Sequence, residues 1–371
     1  MRKARWLAEW RKSAGKPVLY HVISRVVDRR FVLGTEEKEK FRTLMRMQEN
    51  FSGCRVLSYC LMDNHFHLLL EVPPMVEGGI PDEVLLKRLA ALYGEDIPGG
   101  VALELAIARK AVYTSDTGMD EAVAAIHQRF TYRMQDLGEF MKGLLQRFSQ
   151  WFNRAHSRTG RLWEDRFKSV IVEDGIAART MSAYIDLNPV RAGMVMDPAE
   201  YRWSGYGEAM GGGRKGNGKK AREGLVRAYF CDQGVGFDAE KWRELSRLYR
   251  RLMGLSLGRK PGNAEVSRSS KGLGQITGTT AELLECDDNE TVLKDLGMAK
   301  MLRCRVRYFT DGAVIGSREF VNEAFACARE RFGPKRKDGA RKLKGESAAA
   351  SGALWSLRDL RKGIACPRPH P

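Results

Sequence analysis

The sequence predicts an α+β fold, a largely antiparallel sheet with helices packed on one face. Three observations carry that expectation. Runs rich in β-branched residues alternate with helical stretches in the order strand, helix, strand, strand, helix, strand, helix. Two of the runs are separated only by Asp63-Asn64, a two-residue turn signal that makes them an antiparallel hairpin. The long stretch 137–160 carries an apolar stripe at helical spacing, which one sheet face would cover.

The elements follow in order. "LYHVISRVVDRRF" (19–31) is rich in β-branched residues and reads as the first strand. "TEEKEKFRTLMRMQENF" (35–51) reads as a helix that Thr35 can cap. Its Glu36 and Glu37 suit the positive helix start, and Phe41, Leu44, Met45 and Gln48 recur at three and four. "CRVLSYCLM" (54–62) and "HFHLLLEV" (65–72) are the hairpin strands. Short helices are expected at 82–93 and 101–112 within a loop-rich region. In 137–160, Phe140, Leu144, Phe148, Trp151 and Ala155 with Met141, Leu145 and Phe152 form the stripe. "RLWEDRFKSVIVE" (161–173) reads as a fourth strand. "GIAARTMSAYIDL" (175–187) reads as a helix closed by Asn188-Pro189.

Beyond about residue 207 the composition changes. Residues 208–237, with "GGGRKGNGKKAREG", read as a flexible basic linker, 238–333 as a helical accessory region, and 334–371 as a basic, disordered tail. Residues 1–207 would form the main domain.

The 371 residues carry a net charge of +17, with pI near 9.6. The excess sits at the ends, +7 in residues 1–30 and +8 in 331–371, like basic arms on a near-neutral body. Such arms suit a polyanion, and nucleic acid is the usual one. They lack bulky apolar residues at helical spacing, so a membrane-surface role fits poorly. No apolar run reaches 18 residues, and the N-terminus lacks the apolar core of a signal peptide. Seven scattered cysteines without a CxxC pair argue for a reducing cytoplasm and against a disulfide framework or zinc ribbon.

Two constellations carry chemistry. His65 and His67 alternate on one strand, so both project to the same side, roughly 6–7 Å apart along it. Two imidazoles at that spacing can reach one cation, or can be hydrogen-bonded bystanders. No cysteines nearby complete a zinc tetrahedron, and histidines with oxygen ligands suit Mg²⁺ or Mn²⁺ when phosphate fills the remaining positions. Tyr184 and Asn188, four apart on a helix, share a face. They read either as a packing tyrosine with a helix-ending Asn-Pro or as a phenol beside a cation. A phenol with pKa about 10 is a poor nucleophile until a nearby cation or base favours the phenolate. Asn188 would then offer its carbonyl oxygen as a third ligand.

The blocks "YHVISRVVDRRF", "LSYCLMDNHFHLLLEVP", "MKGLLQRFSQWFNRAHSRTGRLWEDRFKSVIVE" and "YIDLNPVRAGMV", in that order, resemble the single-tyrosine HUH transposases (IS200-like transposase domain), and most of all the REP-associated tyrosine transposases. The resemblance covers roughly residues 17–207. It implies a ferredoxin-like (RRM-like) sheet with an active site on its surface, where His65, His67 and Asn188 bind Mg²⁺ or Mn²⁺. It implies that Tyr184 attacks single-stranded, hairpin-forming DNA to give a 5′-phosphotyrosine link, and that the protein works as a monomer or homodimer in a bacterial cytoplasm. Arg25, Arg166, Lys168 and Arg191 lie in the matching blocks and could hold phosphates. The spacing between the histidine strand and the long helix exceeds the family's, so 75–130 reads as an insertion.

Rival readings remain: a domesticated, non-catalytic hairpin-binding protein, an RRM-type RNA-binding module, and a metal-dependent hydrolase. An RNA-binding module would want exposed aromatics on its strands, where this sequence has "HFHLLLE". A hydrolase would want carboxylates, and no spacing assembles Asp63, Glu71 and Asp186.

Overall fold

A computed structural model describes residues 6–75, 79–111, 118–211, 218–230, 239–256, 302, 309–310, 312–342 and 354–358. Its elements are α1 Glu9–Ser13, β1 Val18–Arg25, α2 Thr35–Ser52, β2 Arg55–Leu61, β3 His65–Val72, α3 Asp82–Tyr93, α4 Asp96–Lys110, α5 Gly118–Thr131 and α6 Leu137–Ala155. There follow β4 Lys168–Val172, α7 Ile176–Asp186, α8 Asn188–Arg191, α9 Gly205–Gly211, α10 Lys219–Phe230, α11 Ala239–Ser256, β5 Val314–Gly316, α12 Arg318–Cys327, β6 Arg341–Lys342 and β7 Trp355–Leu357.

Strict alternation along the strands sets the architecture, because successive side chains face opposite sides of a sheet. Tyr20 and Val22 of β1, Phe66, Leu68 and Leu70 of β3, and Ile171 of β4 point to one face. There they meet Phe41, Leu44 and Met45 of α2 and Phe140, Leu144 and Phe148 of α6. Each such side chain contributes roughly 1.5–3 kcal/mol by leaving water. β1, β3 and β2 pair antiparallel, and so do β1 and β4, in the order β2-β3-β1-β4. That is the ferredoxin-like arrangement the family resemblance implies.

Local chemistry fixes the ends of these helices. Gly53 closes α2 in the left-handed conformation (φ 74°), where a side chain would be strained. Asp136 opens α6 by accepting from the Glu139 backbone N–H at 2.8 Å. Thr35 does not cap α2: it is already the first helical residue, and Gly34 occupies the cap position without a side chain to offer.

Several expectations are corrected. The fourth strand is short, Lys168–Val172. Residues 161–167 instead form a loop with one bridge, Val26 to Trp163, while Leu162 and Phe167 turn into the α2/α6 core. Asn188-Pro189 does not end the helical path. Leu187 keeps a helical backbone and α8 follows at once, since proline is tolerated in a first helical turn.

The helices are not confined to one face. α7, α9, α10 and α11 cover the opposite side of the sheet, burying Ile185, Tyr206, Leu225, Tyr249 and Leu252 over Leu57, Leu69 and Val170. The stretch read as a flexible linker contains α10, whose Ala221, Leu225 and Tyr229 face the core. Its Gly224 lies where an added Cβ would stand only 2.6 Å from the Val56 carbonyl, at the point where β2 shifts register.

Nor are the ends simply free basic arms. Trp6 meets Phe332, Trp10 meets Phe320, and Arg11 pairs with Asp174 at 3.0 Å. β6 and β7 lie in the stretch expected to be a disordered tail. They extend the sheet to seven strands, β2-β3-β1-β4-β5-β7-β6, with β5 parallel to β4. Between β3 and α6, helices α3, α4 and α5 surround a small core of Leu85, Leu89, Leu92, Val101 and Leu105, which continues into Phe51 of α2. Among the described residues, no helix is long and apolar enough to cross a membrane.

Candidate functional site

The strand register gathers the site on the face covered by α7. His65 pairs with Arg25 of β1, and His67 lies in one cross-strand row with Cys60, Ile23 and Lys168. Paired residues share a face, so this row points toward α7. The two rings stand 5.1 Å apart between centroids, nearly perpendicular at 78°. From α7, Tyr184 brings its ring edge-on to His67, 5.8 Å away at 90°. The histidine strand and the tyrosine helix, far apart in sequence, therefore meet.

A third ring completes the cluster. His21 of β1 stacks on His67 (5.2 Å, 13°), and Tyr184 lies edge-on to it at 5.8 Å. His21 Nε2 and His67 Nδ1 are 3.0 Å apart, and His21 Nδ1 lies 2.8 Å from the Phe309 carbonyl oxygen. Nothing singled out His21 in the sequence beyond its alternation with Ile23 and Arg25 on one face of an apolar strand.

Burial governs the electrostatics. It lowers His65 to about 4, with Arg25 adding to the shift, and lowers His21 to about 4. It lowers His67 well below the ordinary range, helped by His21, His65, Arg25 and Arg191. All three rings are therefore neutral at pH 7, and a neutral imidazole keeps one lone pair for a cation.

Tyr184 is enclosed. It is 2% exposed, and the Phe309 ring lies parallel to its ring at 4.8 Å. The Arg191 guanidinium lies over the Tyr184 ring, 4.9 Å from its centroid, and donates to the carbonyls of Tyr184 (3.1 Å) and Leu302 (2.8 Å). Burial lowers Arg191 to about 10. The site lies on the face of the sheet, as expected, and Phe309 and the Leu302 carbonyl of the C-terminal region lie over it.

The remaining expected residues divide. Asn188 uses its amide Nδ2 on the carbonyls of Tyr184 (3.1 Å) and Ile185 (3.2 Å), so its Oδ1 is the atom that could serve a cation. Arg166 and Lys168 are exposed at the start of β4, and Arg25 is half-buried beside His65. Arg191 is instead held within the fold by backbone carbonyls. Trp163, 5.4 Å from Phe66, belongs to the packing of the other face.

Among the described residues, no cluster of three or more His, Cys, Asp or Glu side chains could hold a metal. The side chains that could hold one are His65 and His67, with the Asn188 carboxamide oxygen as a candidate third. This is a partial shell that oxygen atoms of a bound phosphate could complete, and such a nitrogen and oxygen set fits Mg²⁺ or Mn²⁺.

Residues 16–78, which span β1, α2 and the histidine hairpin, match the family described as Transposase IS200 like. A solved structure described as a REP-associated tyrosine transposase bound to a REP hairpin is similar at 12% identity. The match covers 57% of this chain and 84% of that one, with a TM-score of 0.33. No curated protein matches the chain.

Proposed function

We propose that the protein is a metal-dependent nicking and rejoining enzyme for single-stranded, hairpin-forming DNA, a transposase that works through Tyr184. The observation that carries this reading is the packing of the Tyr184 ring against His67, within a sheet whose histidine hairpin lies in the transposase-like segment.

In this reading His65 and His67, with Asn188 Oδ1, would hold Mg²⁺ or Mn²⁺, which would supply positive charge to one scissile phosphate. Tyr184 Oη forms a bond to phosphorus as the bond to the 3′ oxygen breaks. The phenol gives up its proton and the leaving 3′ oxygen takes one up. The product is a 5′-phosphotyrosine with a free 3′-hydroxyl. Attack by a 3′-hydroxyl reverses the exchange, so no nucleotide cofactor is required. Arg25 beside His65, with Arg166 and Lys168 at the start of β4, offers positive charge for the flanking phosphates. Before any of this the Phe309 ring must swing aside, because Tyr184 is buried beneath it.

That burial also favours a second reading, a hairpin-binding protein that does not cut. One experiment separates them: labelled hairpin DNA with Mg²⁺ or Mn²⁺, then denaturation. A covalent adduct, lost in Tyr184→Phe, is the expected result. Cleavage without an adduct would indicate a hydrolase. Tight binding without cleavage in either metal would leave only the binding role.

A further inference from the structure

Each histidine of the pair ends a chain of hydrogen bonds that begins on a backbone carbonyl. A carbonyl oxygen can only accept, so such a chain dictates where every proton along it lies. We infer that His21 and Asn64 are positioning residues that fix the tautomers of His67 and His65, so that both rings carry their proton on Nδ1 and their lone pair on Nε2. The inference rests on the metal-binding reading above.

The first chain starts at Phe309. Its carbonyl oxygen lies 2.8 Å from His21 Nδ1, so that nitrogen bears the proton. A neutral imidazole has one N–H, and His21 Nε2 is therefore an acceptor. Its partner at 3.0 Å is His67 Nδ1, which must donate. His67 thus carries its proton on Nδ1 and keeps the lone pair on Nε2. With both of its nitrogens committed, His21 supports the site without joining the ligand set.

The second chain starts at Arg29. Asn64 Nδ2 donates to the Arg29 carbonyl at 2.9 Å, which fixes the orientation of the carboxamide. Its Oδ1 faces His65 Nδ1 at 2.7 Å and accepts from it. His65 is thereby set in the same tautomer as His67. Arg29 and its neighbour Asp28 both hold positive φ, 57° and 56°, a conformation residues other than glycine adopt only where their surroundings hold it. Two chains that share no atom give one answer. Histidine ligands in general need the nitrogen away from the metal hydrogen-bonded in this way.

The test uses the full chain labelled with ¹⁵N and free of metal. Long-range ¹H–¹⁵N spectra of the imidazoles should show Nδ1 protonated in His21, His65 and His67. A proton on Nε2 of His65 or His67 overturns the inference, whatever the protein does with DNA. Mn²⁺ affinity is then followed by electron paramagnetic resonance in four variants. His21→Gln can donate to Phe309 O and accept from His67, and Asn64→Asp can still accept from His65. Both should keep Mn²⁺ affinity. His21→Leu and Asn64→Leu should lose about 10–100-fold. Equal affinity in the Leu and Gln variants at position 21 overturns the positioning role of His21, and equal affinity in the Leu and Asp variants at position 64 that of Asn64. Expected tautomers in a wild-type chain that binds no Mn²⁺ would overturn both the positioning role and the metal-dependent reading. Wrong tautomers with Mn²⁺ bound would overturn this inference alone.

Discussion

The Phe309 ring lies flat on the Tyr184 ring, 4.8 Å away with 16° between their planes. Phe309 is 2% exposed, so the contact is a packed one. Replacing a buried phenylalanine by alanine costs roughly 3–5 kcal/mol. Phe309→Ala should lower stability by that order and open Tyr184 to solvent. Nitration by tetranitromethane, located by peptide mass, should increase at Tyr184 in the folded variant. Unchanged nitration there would mean that other groups suffice to enclose the tyrosine.

Asp186 makes stability depend on pH. It accepts from the Tyr206 backbone N–H (3.0 Å), the Tyr249 hydroxyl (2.8 Å) and the Ser58 hydroxyl (3.2 Å), yet burial raises it to about 7. An unfolded Asp titrates near 3.9, so the folded state holds the proton more tightly. The resulting stabilisation is full below about pH 4 and is lost as pH rises through about 7. It amounts at most to roughly 4 kcal/mol. In urea unfolding, the stability of wild type relative to Asp186→Asn should therefore fall between pH 4 and 7. A difference independent of pH would show that Asp186 is ionised throughout.

The histidine cluster acts in the opposite direction. Burial lowers His21 and His65 to about 4 and holds His67 well below the ordinary histidine range. Unfolded histidine titrates near 6.5, so the unfolded chain binds the extra protons. This contribution is present above about pH 6.5 and lost as pH falls through about 4. The ring signals of His21 and His65 should titrate near pH 4 by nuclear magnetic resonance. Titration near 6.5 at either ring would show that water reaches it.

Gly224 tests the cover over the second sheet face. A methyl group there would stand 2.6 Å from the Val56 carbonyl oxygen and 2.8 Å from that of Leu57, both backbone atoms with little room to yield. Gly224→Ala should lift α10 from β2 at a cost of about 1–3 kcal/mol, the usual range for overpacking. The readouts are the urea midpoint and amide exchange along β2. An unchanged midpoint would mean the helix shifts freely.

The legible parts of this fold were those specified locally. The hairpin around Asp63-Asn64 shows in alternation and a turn signal, and β3 spans the expected residues, His65–Val72. The stripe from Phe140 to Phe152 shows at helical spacing, and it packs on the sheet. α10 carried a readable pattern in Ala221, Leu225 and Tyr229, but the glycines and lysines just before it suggested a linker. β5, β6 and β7 are two or three residues each, too short for periodicity, and their pairing is set by distant partners. The same holds at the site. His65, His67 and Tyr184 could be picked out as residue types in a pattern. The bond from His21 to Phe309 O joins segments that no local signal relates.

The strand β5 has one more effect. Backbone N–H groups of Ile171 and Glu173 donate to the carbonyls of Ala313 and Ile315 at 2.8 and 3.0 Å. Without those partners β4 would present open donors along its outer side, a template on which a second chain could add a strand. A fragment cut after residue 207 would acquire that sticky border and tend to associate with itself, which light scattering would register. The intact chain moves the border outward to β6, only Arg341–Lys342, where two positive charges repel an approaching copy.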